Sequence, residues 1–200
     1  PRDAATLMLI DRTGPQPTVL MGRRHASHKF MPGKFVFPGG RIEAADQAMG
    51  AASELAAGAA AKVALRPRDE QVPPARAFPL CAIRETFEET GLMLGVKGKA
   101  PAIAPNAEWE AFASAGVLPD LANIHFIARA ITPPRRPKRF DTRFFTADAQ
   151  MVAHKVDGVV GPDSELVELV WIPIKDAKTL DLPTITATIL EELEARVKAG

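Results

Sequence analysis

The sequence predicts an α+β (mixed α/β) fold in a single domain spanning residues 1–200. Three observations predict it. Short apolar runs bounded by Gly and Pro interleave with segments of helical periodicity, and they do so without a regular strand–helix–strand period. Hydrophobic residues fill 46% of the 200 positions and charged residues 24%, a globular composition. A chain of this length buries roughly 70% of its unfolded surface, enough for a core without disulfide or metal staples. No internal repeat and no break in composition marks a second domain.

Taken in order, residues 6–10 (TLMLI) read as a strand, 11–15 (DRTGP) as a turn and 18–21 as a second strand, so the chain opens with a hairpin. A basic stretch, Arg23, Arg24, His25, His28 and Lys29, leads into 35–40 (FVFPGG). Residues 47–66 are alanine-rich and helix-prone. Pro67, Pro73, Pro74 and Pro79 make 67–79 a loop. Residues 80–90 form a helix, because Leu80, Ile83 and Phe87 recur at helical spacing and Gly91 supplies the stop. A short strand at 92–96 precedes a helix at 107–115 around Trp109 and Phe112. Strands at 124–132 and 143–147 flank a Pro- and Arg-rich loop. Residues 166–174 (LVELVWIPI) read as a buried strand and 184–198 as a terminal amphipathic helix.

Several function classes are excluded by composition. Lys and Arg number 25 against 24 Asp and Glu, a balance that argues against a nucleic-acid binder. No apolar run approaches the length of a membrane span, so no membrane partner is expected. The single cysteine, Cys81, rules out an intrachain disulfide and points to a reducing compartment. The first residues lack a basic start followed by an apolar signal core, so a cytoplasmic location is expected. Cys81 reads as a small buried hydrophobe, and His125, in an apolar strand, as a hydrogen-bonded core histidine.

The informative segment is 84–92 (RETFEETGL). On a helix Glu85 lies one turn from both Glu88 and Glu89, so three carboxylates share one face. Like charges at that spacing repel. A hard divalent cation such as Mg²⁺, which takes oxygen ligands and is commonly shared with substrate phosphates, turns the repulsion into binding. The plainer alternative is a solvated acidic face with an Arg84–Glu88 pair.

Context favours the cation. The segment matches R-E-(apolar)-x-E-E-x-G-(apolar), and residues 37–46 (FPGGRIEAAD) supply the glycine-rich half that precedes it. Together they resemble the box of the Nudix hydrolase superfamily. Three departures stand out. Asp46 occupies a position where the family has glutamate, and Thr86 one where it has an aliphatic residue. Residues 47–83 separate Asp46 from Arg84, where about seven residues are usual, so the box carries an insertion. Loop closure costs little extra for a longer loop, so the box can still assemble. The interrupted box, with 139–145 (RFDTRFF) after it, resembles the subgroup of peroxisomal-type coenzyme A and acyl-coenzyme A diphosphatases.

The resemblance implies a mixed sheet sandwiched between helices, with a helical and loop insertion at about 47–76. It implies an Mg²⁺- or Mn²⁺-dependent hydrolase that cleaves a diphosphate linkage in a small nucleoside-diphosphate derivative. The implied metal ligands are Glu85, Glu88, Glu89 and the Gly39 carbonyl. Arg84 would orient the carboxylates by pairing with the acid near Asp46, Glu43 being a candidate. Glu165, at the entry to the last strand, is the expected general base, with Glu168 as alternative. Arg23, Arg24, Arg139 and Arg143 are the candidates for substrate phosphate, since arginine forks pair with phosphate oxygens. Coenzyme A or acyl-coenzyme A is the favoured substrate. ADP-ribose, another nucleotide sugar or a nucleoside triphosphate is the alternative, and a nucleotide-binding module without activity is the non-enzyme alternative. The insertion is expected outside the main core, either over the substrate entrance or at a dimer contact that would make a homodimer.

Overall fold

The computed structural model describes residues 1–27, 31–65 and 72–199. In chain order the strands and helices are β1 (Arg2–Asp11), β2 (Thr18–Arg24), β3 (Phe35–Val36), β4 (Gly39–Arg41), α1 (Ala44–Ala48), α2 (Ala57–Ala64), α3 (Ala77–Thr90), β5 (Leu92–Leu94) and β6 (Val96–Lys97). There follow α4 (Ala107–Ala115), β7 (Val117–Leu118), β8 (His125–Ile131), β9 (Phe140–Asp148), β10 (Val152–Lys155), β11 (Leu166–Pro173) and α5 (Thr184–Ala199).

A seven-stranded sheet forms in the order β11-β2-β1-β9-β8, with β3 added to β2 and β4 to β1. It is mixed, because β1 runs parallel to β9 and antiparallel to β2 and β4. The alternation along β1 explains its central place. Ala5, Leu7 and Leu9 enter a core beneath α3 and α4, whereas Met8 and Ile10 enter a second core beneath α5. The sheet is therefore sandwiched between helices, as the resemblance implies.

The helix that carries the acidic cluster, α3, begins at Ala77, inside the stretch read as loop. Pro79 is tolerated because it sits in the first turn, where backbone N–H groups lack intrahelical partners. Gly91 ends the helix at φ 79°, and a Cβ there would stand 2.1 Å from the Val156 carbonyl oxygen. Position 91 thus requires glycine for both its conformation and its packing. Helix α4 has the expected bounds, with the Asn106 side chain accepting from Trp109 N at 3.1 Å and Gly116 left-handed at its end.

Three expectations are corrected. First, the insertion is not one helix over 47–66, and it does not lie outside the main core. Between α1 and α2 the chain takes partners elsewhere. Ala52 N donates to Pro119 O at 2.7 Å, and Ser53 Oγ bonds Asp120. These outcompete the alanines' helix propensity. Met49 and Val63 are fully buried in the core beneath α3. Arg129 Nη1 donates to Leu65 O at 2.7 Å and ties the end of α2 to β8. The predicted loop at 67–71 lies outside the described residues, as do His28 and Lys29. Second, β11 is an edge strand rather than a buried one, with Trp171 44% exposed. Third, His125 is exposed at the start of β8 and not in the core. Among the described residues no helix is long and apolar enough to cross a membrane.

Candidate active site

Arg84 organises the acidic face of α3. Its side chain is 1% exposed. Nε donates to Asp46 Oδ1 at 2.8 Å and Nη2 to Asp46 Oδ2 at 3.0 Å and to Arg41 O at 2.9 Å. Nη1 lies 2.5 Å from Glu88 Oε1 and 3.0 Å from Glu85 Oε1. Burial alone would lower the pKa of this guanidinium, but the hydrogen bonds and charge of Asp46 outweigh it, so the charged form is held firmly. The acid that pairs with Arg84 is therefore Asp46 itself and not Glu43. Glu43 contributes its backbone N–H, which donates to Asp46 Oδ2 at 2.9 Å. Helix α1 brings Asp46 back to Arg84 across 38 positions of chain, so the long insertion leaves this contact intact. Thr86, the other departure, is buried and donates its hydroxyl to Ala82 O at 2.7 Å, so its polar atom is satisfied within the helix.

The glycine pair lies directly over these carboxylates. A Cβ on Gly40 would stand 2.3 Å from Glu85 Cδ, and one on Gly39 would stand 2.5 Å from Ala5 O. Only glycine lets β4 pass between β1 and α3. Cys81, fully buried, donates to Gly40 O at 3.5 Å, and burial raises its thiol pKa, with the charges of Asp46 and Glu85 adding to the effect. That is the inert buried hydrophobe the sequence suggests.

The opposite end of the cluster is poor in compensation. Glu89 is 6% exposed. The Gly39 amide donates to its carboxylate, while Oε2 has no partner among the described residues. Burial pushes its pKa well up, and the negative charge of Glu165 pushes it further. Burial raises Glu85 to about 7 against the pull of Arg84, with Glu88 adding to the rise. Glu88 is raised by burial and by the charges of Glu108 and Glu43. A buried carboxylate oxygen without a partner costs several kcal/mol. A hard cation among Glu85, Glu88 and Glu89 would supply the missing positive charge, and these all-oxygen donors suit Mg²⁺ or Mn²⁺. Among the described residues no group of three or more His, Cys, Asp or Glu side chains is preassembled to hold a metal. Glu85 and Glu88 are turned onto Arg84.

The alternation of β2 separates the two candidate bases. Leu20 belongs to the core beneath α3, and Val19 and Met21 to the core beneath α5. Arg24 therefore faces the α3 side and Arg23 the α5 side. Arg24 Nη2 lies 2.8 Å from Glu165 Oε1, and Glu165 acts electrostatically on Glu89. Arg23 Nε lies 2.8 Å from Glu168 Oε2, on the far face of the sheet. Glu165 thus joins the acidic helix and Glu168 does not.

The other arginines expected at phosphate are placed differently. Arg139 donates through Nε to Thr132 O at 3.0 Å. Arg143 is fully buried, 2.8 Å from Asp3 Oδ1 and 3.1 Å from Asp141 Oδ1, with Phe78 of α3 4.1 Å away against its guanidinium. Asp141 is gripped at 2.7 and 2.6 Å by Arg129. Arg143 is part of an internal ion network and does not face a ligand. The signal was present in the sequence. Asp141 and Arg143 are two residues apart on a strand and so share a face. Sequence reasoning also missed Glu108, whose charge reaches Glu88 from α4.

No protein-family profile matches the chain. It is 34% identical over 128 residues to the acyl-coenzyme A diphosphatase NUDT19 of Gallus gallus, covering 50% of this chain and 34% of that protein. It is 27% identical over 187 residues to a protein assigned as nudix hydrolase 7 of Caenorhabditis elegans, covering 88% of this chain and 52% of that protein. The chain thus spans about a third and about half of the lengths of these two relatives. Among solved structures, a NUDIX hydrolase from Alicyclobacillus acidocaldarius superposes with a TM-score of 0.70 at 29% identity, covering 95% of this chain and 89% of that one. The NUDIX domain of Shewanella oneidensis NrtR, solved with ADP ribose, shares the fold at a TM-score of 0.53 and 15% identity.

Proposed function

Because the chain belongs to the Nudix hydrolase superfamily, we propose that it hydrolyses a diphosphate linkage in a small molecule with Mg²⁺ or Mn²⁺, and that its substrate is coenzyme A or an acyl-coenzyme A. One observation carries the reading. The face of α3 buries carboxylates without enough positive charge, with Glu89 Oε2 unpartnered and Glu85 held near neutral pH. Such an arrangement suits a site that recruits a cation.

Glu85, Glu88 and Glu89 would hold the cation. When bound, a divalent cation lowers the pKa of water and neutralises charge on the departing phosphate. The side chains do the rest. Arg84 gathers Asp46, Glu85 and Glu88 into one cluster. Gly40, with no Cβ, lets the Glu85 carboxylate pack directly against β4. Glu165, steadied by Arg24 on the side of the sheet that holds Glu89, accepts the proton of the attacking water. The coenzyme A assignment draws on the interrupted box and on the similarity to the avian acyl-coenzyme A diphosphatase.

The test compares coenzyme A, 3′-dephospho-coenzyme A, ADP-ribose and dGTP under one metal condition, with products identified by mass. Coenzyme A should give 3′,5′-ADP and a phosphopantetheine. Far better turnover of ADP-ribose or dGTP would overturn the substrate assignment. Failure to hydrolyse any diphosphate with either metal would overturn the hydrolase itself.

A further inference from the structure

Four arginines were expected to meet substrate phosphate, and the fold commits all four elsewhere. Arg23 and Arg24 pair with Glu168 and Glu165, Arg139 donates to Thr132 O, and Arg143 is buried between Asp3 and Asp141. Two other arginines, Arg2 and Arg41, are exposed. Both line one cavity of about 330 Å³, formed where the start of β1 and the end of β4 meet the insertion. Neither side chain makes an ion pair or hydrogen bond among the described residues. Small-molecule sites occupy roughly 300–1,000 Å³, so the cavity has room for part of a ligand.

We propose that Arg41 and Arg2 form an anion subsite that takes a phosphate monoester group of the substrate, apart from the diphosphate at the acidic helix. The inference rests on the diphosphate reading above and extends it to a second recognition point. Arg41 follows the glycine pair directly, and its carbonyl oxygen is held by Arg84 Nη2 at 2.9 Å. The backbone that carries Arg41 is therefore anchored to the group that organises the carboxylates. Residues Gln47 and Pro73 belong to the insertion and complete the wall, which gives the insertion a part in the substrate site. Two acids also line the cavity. Asp3 is compensated by the buried Arg143 at 2.8 Å, so its charge does not repel an incoming anion. Glu43 lines the same cavity, and with Asp3 paired to Arg143 the two guanidinium groups outweigh its single charge. Two exposed guanidinium forks facing one cavity suit a phosphate monoester, which accepts paired hydrogen bonds from each.

The experiment is a calorimetric titration of the Mg²⁺-loaded protein with adenosine 3′,5′-bisphosphate and with AMP, neither of which holds a diphosphate. The wild type should bind the bisphosphate about tenfold more tightly than AMP. The double variant Arg2→Ala/Arg41→Ala should bind the two alike. Arg41→Lys, which keeps the charge and loses the fork, should fall between them. Equal affinities in the wild type, no binding of the bisphosphate, or full discrimination in the double variant would each overturn the subsite. The titration needs no turnover. Discrimination without hydrolysis of coenzyme A would therefore sink the coenzyme A assignment and leave the subsite standing.

Discussion

The two ends of one helical face are built on opposite terms. Around Arg84 all three guanidinium nitrogens have partners, and Asp46, fully buried, accepts from both Arg84 and the Glu43 amide. One turn further on, Glu89 is almost as buried but holds a carboxylate oxygen with no partner and faces the like charge of Glu165. Burial with full pairing makes a framework. Burial without it makes a place for a missing charge. The contrast teaches which carboxylates belong to structure and which to binding, although all of them lie within a single cluster.

The largest effect is expected from breaking the framework end. Arg84→Met leaves Asp46 buried and unpaired, and removing one partner of a buried pair costs about 3–5 kcal/mol. Denaturant unfolding should report that loss, and activity should disappear with it. At Glu85 and Glu88, which border both ends, the fold should survive while chemistry fails. Glu85→Gln and Glu88→Gln should each lower kcat by at least about 10²-fold, with circular dichroism unchanged. Near-full turnover by Glu88→Gln, still dependent on metal, would erase the distinction between the two ends.

The sheet face separates the candidate bases. Glu165→Gln should lower kcat by about 10²-fold or more, whereas Glu168→Gln should leave it within about twofold. The reverse order would put the proton acceptor on the α5 side. A smaller effect concerns stability. Saturating Mg²⁺ at a hundred times its Kd should add about 2.7 kcal/mol to the wild type. Glu89→Gln should not lower the metal-free Tm, because it removes a buried charge, and it should flatten the response to Mg²⁺. A metal-free Tm well below that of the wild type would mean that Glu89 belongs to the framework. The smallest effect is at Cys81, whose thiol should stay unmodified by a thiol reagent in the folded protein and react once denaturant is added.

Where the sequence was legible, the signal was local. Helical spacing and Gly91 mark α3, and Asn106 with Gly116 brackets α4, because caps and periodicity act within a few residues. The acidic triad and the glycine pair were legible for the same reason. What escaped depended on distant partners. The alanines at 51–56 leave the helix because Pro119 and Asp120 offer bonds. Arg143 was read as a phosphate ligand because its partner Asp3 becomes a neighbour only when β1 pairs with β9. His125 lies in an apolar run, but the strand starts there, at an edge of the sheet.

The parallel pairing of β1 with β9 also bears on how the protein folds. Thr146 Oγ1 reaches Met8 O across 138 positions of sequence, so the centre of the sheet closes only after most of the chain is available. Helix α3 is local and can form far earlier. The carboxylates of α3 therefore stay hydrated until the sheet exists to bury them. Dehydrating Glu89 belongs to a late step of folding, and a divalent cation that relieves that step should speed refolding as well as stabilise the product.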